Sequence, residues 1–323
     1  MTSRQRVRAV LDGSTPDRIP FNFWMDRNLM AEYEARFGAD FRITHYGADV
    51  LETFFAYDWH CGLRSEHIRD HKTSWQTTPA LSRMEDARKL NFPAVAGNED
   101  AITTLIRRDR DRLPDTALFA MLGSPLDQFF SLRMMENAMT DIYEYPDEVD
   151  FIIGNYSAIL TDVVKCLSRC DTDVLYLAGD VCATRGPMLS DDMLRRLMAE
   201  PMKPAVDAAH ALGIKVFYHT CGGNVAPVLP LLVECGFDGI NPLQPHLNDS
   251  AAFKRDYGDK LMLYGGLDNC FAIPDSTPDG VRRHVREQYA ALGPGGLIFS
   301  THDIPDHVPP ANIDAMVDEI KKL

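Results

Sequence analysis

The chain has 323 residues, 45% of them hydrophobic and 25% charged, with a formal net charge of −14. That length admits one large α/β domain, and the negative balance disfavours nucleic acid and anionic membrane, which are bound through Lys and Arg that displace counterions. Neither a membrane span nor a signal peptide is read, and seven dispersed cysteines read as reduced thiols of a cytoplasmic protein that handles a small molecule or a protein partner.

In chain order, Val7, Val10 and Leu11 share one face of an opening helix over 3–12, stopped by Gly13, Ser14 and Pro16. Residues 19–24 predict a first strand, 29–37 a helix capped by Gly38, and 49–56 a second strand. From Asp58 to Asp115 the periodicity weakens, and a hairpin plus a charged helix over 98–112 are expected as an excursion over a barrel mouth. His60, His67 and His71 fall in this stretch and read as surface groups. Cys166 and Cys170 lie one helical turn apart, but no further ligand neighbours them in sequence.

A regular rhythm follows. Strands are predicted at 118–123, 174–178, 215–219, 239–243, 261–266 and 296–300. Helices are predicted at 146–169, 190–212, 225–235, 251–257, 281–292 and 311–323. The strands are continuous apolar runs, as expected where both faces of a parallel sheet are buried. The expected fold is a single (β/α)8 TIM barrel over 1–323, with 58–115 as an irregular insertion. Such barrels draw their chemistry from the C-terminal ends of strands. The polar residues at those ends are Asp26, Asp180, His219, Cys221, Asn241, Gln244, Asp268, Cys270, His302 and Asp303.

Among them, His219 and Cys221 stand two apart where an apolar strand runs into Gly222-Gly223. Two-residue spacing puts the imidazole and the thiol on one face, which is half of a zinc site. The alternative is a core histidine beside a buried thiol. Catalytic zinc takes three protein ligands and leaves one position open. The third is expected from His302, after the last strand, or from Cys270, beyond the seventh. Asp180 and Asp268 are the candidate catalytic carboxylates, as ligands or as acceptors that orient an imidazole. Arg185 is a candidate clamp for a substrate carboxylate or phosphate, with Asn241 and Gln244 as further substrate-binding candidates.

Several motifs carry a resemblance. They are Gly179-Asp180 with Arg185-Gly186-Pro187-Met188-Leu189-Ser190, then His219-Thr220-Cys221-Gly222, then Gly236 through Pro245, Gly265-Gly266-Leu267-Asp268, and Gly295 through Asn312. Weaker matches are Asp17-Arg18-Ile19-Pro20, Gly123-Ser124 and Pro146. Together they resemble the uroporphyrinogen decarboxylase superfamily, and within it the cobalamin-dependent methyltransferases. The resemblance implies zinc on His219, Cys221 and a third ligand before Ile-Pro, where the methyltransferases carry Cys and this chain carries His302. Two imidazoles and one thiolate leave Zn²⁺ with residual positive charge, a stronger Lewis acid than a neutral two-thiolate site.

The activity implied is methyl transfer, in either direction, between a corrinoid and a thiol, tetrahydrofolate or methoxy compound. The arginine-rich segment of true uroporphyrinogen decarboxylases is here Phe23-Trp24-Met25-Asp26-Arg27-Asn28, with a single arginine. The corrinoid motif Asp-x-His-x-x-Gly has only a shortened counterpart in Asp58-Trp59-His60-Cys61-Gly62. A separate corrinoid protein docking on 58–115 is therefore implied. Two other readings stay open: a metal-free carboxy-lyase, in which Asp180 or Asp26 handles protons, and a non-catalytic barrel that binds a tetrapyrrole or a partner.

Overall fold

Seven apolar runs assemble side by side into one parallel sheet: β2 (Val50–Phe54), β3 (Ala117–Gly123), β4 (Val174–Ala178), β5 (Lys215–His219), β6 (Gly239–Asn241), β7 (Met262–Gly266) and β8 (Leu297–Ser300). Their order in the sheet is their order in the chain. The computed structural model describes residues 1–69 and 74–323, without the side chains of Arg69 and Ser74; His71 lies outside the described residues.

The first strand is broken. Only Trp24–Met25 (β1) is regular, paired in parallel with Asp303–Ile304, while Phe21 bridges Phe299. The Asn22 N–H donates to the Phe299 carbonyl at 2.9 Å, and the Phe21 carbonyl accepts from the Asp49 N–H at 2.7 Å. Residues 20–25 thus lie between β8 and β2 and close the barrel. Pro20 cannot donate to the ladder, which is one reason the expected strand over 19–24 is not regular throughout.

Alternation along the strands splits the core in two. Inside the barrel sit Val50, Phe119, Val174, Tyr176, Phe217, Tyr264 and Ile298, and the opening helix Ser3–Leu11 adds Val7, Val10 and Leu11 to them. That helix is held by a capping box of Thr2 and Gln5. Outside, Leu51, Leu118, Leu175, Val216, Leu263 and Leu297 face the helices. Each such side chain contributes about 1.5–3 kcal/mol on burial.

At the strands' N-terminal ends two fully buried carboxylates are saturated with cations. Asp49 meets Arg6 and Arg18, each at 2.7 Å. Asp173 meets Arg4 at 3.0 Å, Arg8 at 2.7 Å and Arg110 at 2.8 Å, and it accepts the Leu118 N–H at 2.9 Å.

The stretch Pro146–Arg169 is long and apolar enough to cross a membrane by composition alone. Here Ile152, Ile153, Tyr156, Leu160, Val163 and Val164 are buried in the outer core. Within 58–115, the hairpin of His67–Arg69 with Ser74–Gln76 appears as expected. Gln76 Nε2 donates to the Ser131 carbonyl at 3.0 Å, and His60 Nε2 lies 3.1 Å from Ser131 Oγ. The end of the stretch differs from expectation. Thr104–Arg112 packs on β2 and β3 as the crossover helix between them, with Thr53 Oγ1 donating to Asp109 Oδ2 at 2.7 Å. Its charged exposed face hides this role in the sequence, because only Ile106 marks the apolar side.

Candidate metal centre

The C-terminal ends of the strands carry the reactive side chains. In β5, Phe217 and His219 face inward, and Thr220 turns away to accept the Val181 N–H at 3.2 Å. Cys221 therefore returns to the side of His219. Gly222 (φ 72°) lets the chain turn at once, and Gly223 presses so closely on Cys182 that a Cβ would lie 2.5 Å from its Cβ.

His302 reaches the same point from beyond β8. Ligand atoms of His219, Cys221 and His302 lie within 4.8 Å of one another. Trp24 covers this group from β1, stacked at 6.4 Å on His219 and 6.3 Å on His302.

A hydrogen-bonded frame orients the His219 ring. Register pairs Asn241 with His219, so both side chains share a face. Asn241 Oδ1 lies 2.7 Å from His219 Nδ1 and accepts the Tyr176 hydroxyl. Because the amide oxygen can only accept, Nδ1 carries the proton and Nε2 keeps the lone pair that a metal ligand requires. Asn241 Nδ2 donates to the Tyr264 carbonyl at 2.5 Å. Asn241 thereby acts as a positioning residue for His219. Burial holds the His219 imidazole below its ordinary pKa, against the pull of Asp180 and Asn241.

Asp180 binds the loop through the Cys221 N–H at 2.8 Å and lies 3.5 Å from Cys221 Sγ. Burial first and the Asp180 charge second push the Cys221 thiol well above its usual range. Without a cation the sulfur is thus protonated. Asp127 stands near Asp180 at the head of the helix Pro125–Arg133, and burial followed by the Asp180 charge raises its carboxyl to about 7.

The remaining candidates fall elsewhere. Gln244, expected to bind substrate, is buried: Oε1 accepts the Gly222 N–H at 2.7 Å and Nε2 donates to Asn269 Oδ1 at 3.3 Å. It thereby ties two strand-end loops together. Arg185 is exposed at the tip of the hairpin Cys182–Ala183 with Gly186–Pro187. Asp26 caps the helix Arg27–Phe37 through the Asn28 N–H at 2.9 Å.

Cys270 does not complete the first group. It joins Asp268 and His246 in a second one, whose ligand atoms also lie within 4.8 Å of one another. Asp268 is buried, and its carboxylate organises the turn after β7. His302 is therefore the third member that the geometry selects. Cys166 and Cys170 lie outside both groups, their thiols turned to the Asp162 and Cys166 carbonyls.

Several residues around the mouth escaped the sequence reading. Glu52 points inward from β2, with Oε1 accepting from Asn22 at 2.7 Å, Trp24 Nε1 at 2.9 Å and the Tyr264 hydroxyl. Arg42 lies 3.7 Å from its other oxygen. A carboxylate at an inward position of an otherwise apolar strand is a legible signal. Tyr176 and His246 had weaker ones.

Strand-end groups on a parallel barrel define the class: a TIM-barrel protein whose mouth gathers two imidazoles and one sulfur as a candidate metal-ligand group. The sequence model of the uroporphyrinogen decarboxylase (URO-D) family matches residues 65–323, and the chain belongs to that family. It is 22% identical over 249 residues to a uroporphyrinogen decarboxylase of Chloroherpeton thalassium, covering 73% of this chain and 68% of that protein. In fold it is similar to a methyltransferase from Methanosarcina mazei, with TM-score 0.77 and 17% identity over 100% of this chain and 99% of that one. A B12-independent methionine synthase from Shewanella sp. W3-18-1 aligns with TM-score 0.52 and 12% identity, over 97% and 98% of the two chains.

Proposed function

We propose that the chain is a zinc-dependent methyltransferase. It moves a methyl group between a corrinoid on a separate protein and a small thiol, tetrahydrofolate or methoxy compound. The observation that carries this reading is the convergence of His219, Cys221 and His302 at the barrel mouth. Two imidazoles and a thiolate are a donor set zinc accepts, with a fourth position left for a small molecule. Bound there, the ion supplies a Lewis acid that lowers the pKa of a thiol or hydroxyl.

The chain's own residues prepare that chemistry. Asn241 and Tyr176 hold the His219 tautomer. Asp180 is within reach of the proton that Cys221 must lose to become a ligand. Asp127, protonated up to about pH 7, offers a proton store beside it. Trp24 shields both imidazoles from water on one side.

Ile68 and Trp75, register partners in the hairpin, are both largely exposed. An exposed apolar pair of this kind supports that hairpin as the docking surface for the corrinoid protein. A cytoplasmic setting, with neither nucleic acid nor membrane as partner, accords with the negative charge and free thiols.

Family membership also favours a carboxy-lyase as the second reading, acting on a small carboxylate. Metal analysis decides between the two. A zinc equivalent that is present in wild type and absent from Cys221→Ser, together with loss of the methylcobalamin spectrum on adding a panel of thiols and tetrahydrofolate, supports the methyltransferase. Metal-free protein that decarboxylates sinks it.

A further inference from the structure

We infer that His246, Asp268 and Cys270 form a second cation site, distinct from the first and suited to a divalent ion of zinc type. The observations are local. His246 Nδ1 lies 3.1 Å from Asp268 Oδ1. Despite that distance the nitrogen is buried without a hydrogen-bond partner. Two polar atoms that close without sharing a proton are placed as two ligands of one cation are. A buried ring nitrogen left so is costly until something occupies the gap.

The third atom is a thiol sulfur, and all three lie within 4.8 Å of one another. Ligand distances to zinc are about 2.0–2.3 Å, so only small side-chain adjustments separate this arrangement from a bound one. Sulfur with imidazole selects a borderline-soft ion over magnesium or calcium.

The loop is shaped for the purpose before any ion arrives. Asp268 Oδ1 accepts the Cys270 and Phe271 N–H groups at 2.8 and 3.3 Å, and Oδ2 accepts the Ala272 N–H at 3.4 Å. A carboxylate has about four acceptor positions, two on each oxygen, so the one that remains for an ion is on Oδ2. The His246 ring is fixed edge-on to Phe271 at 5.5 Å. Gln244 and Asn269, neighbours in sequence of these ligands, bond each other at 3.3 Å, and Asn269 Nδ2 donates to the Asp303 carbonyl at 2.8 Å. The same frame reaches Gly222 through Gln244. The two groups are therefore separate ligand sets on one hydrogen-bonded scaffold.

The test is stoichiometry. Full-length protein is dialysed against micromolar zinc and its metal counted, with cobalt(II) in parallel to report thiolate ligation by its charge-transfer absorption. Wild type is expected to hold two equivalents, and Cys270→Ser and His246→Ala one each. The double variant Cys221→Ser with His302→Ala should hold one that still shows thiolate absorption. His246→Gln serves if the alanine variant fails to fold, with circular dichroism checking every protein.

A single wild-type equivalent that Cys221→Ser removes overturns the inference. So do two equivalents that persist in Cys270→Ser, and binding seen only at millimolar zinc, which is an adventitious ion only. One equivalent that survives Cys221→Ser but not Cys270→Ser keeps this site and sinks the methyltransferase reading, so the two failures are distinguishable.

Discussion

The two ends of the barrel handle charge in opposite ways. At the lower end Asp49 and Asp173 are fully buried, and each is neutralised by two or three arginines at 2.7–3.0 Å. At the upper end Cys221, Asp180, Asp127 and Asp268 crowd together with imidazoles, and among the described residues no comparable arginine cage surrounds them. The lower end is a closed electrostatic unit, and its work is stability. The upper end is an incomplete one, and titratable groups perturbed in this way cluster at functional sites.

Substitutions at each end should separate these roles. The largest effect is expected from Cys221→Ser, which should reduce zinc affinity by more than the ~10–100-fold typical of outer-shell changes while leaving the urea midpoint of the metal-free protein almost unchanged. An undiminished zinc content in Cys221→Ser would erase the contrast. Asp173→Ala should do the reverse, leaving Arg4, Arg8 and Arg110 without their shared partner at a cost of about 3–5 kcal/mol; urea unfolding measures it. Asn241→Leu should weaken zinc binding about 10–100-fold with the fold intact, as read by chelator competition.

The smallest effect concerns pH. Asp127 titrates near 7 in the fold against 3.8 ordinarily. Between those values the folded state binds more protons than the unfolded one, so stability falls as pH rises through that window. Asp127→Asn should flatten the slope and gain on the order of 1 kcal/mol over wild type above pH 7. Parallel pH–stability curves for the two proteins would show that Asp127 is not buried in its neutral form.

Much of this was legible beforehand. Continuous apolar runs disclosed the seven regular strands, and the two-residue spacing of His219 and Cys221 disclosed half of the ligand group. The strand-end rule offered His302 and Cys270 as the third member, and only the fold places them in different groups. What stayed hidden has specific causes. The first strand is carried by bridges and side-chain contacts around Phe21 and Trp24, which have no period to read. The ties of Asn241 to His219 and of Gln244 to Gly222 each join residues 22 positions apart, so no local pattern announces them. His246 and Cys270 are 24 positions apart in the numbering, and only the folding of two loops onto Asp268 makes them neighbours.

The helix Ser3–Leu11 has a kinetic consequence. With Val7, Val10 and Leu11 stoppering the lower opening, access to the ligand groups runs through the upper mouth. If a bulky corrinoid carrier docks there, a small molecule must already be seated beneath it, and departure must run in reverse. Initial-rate patterns with both reactants varied should therefore show a compulsory sequence of arrival.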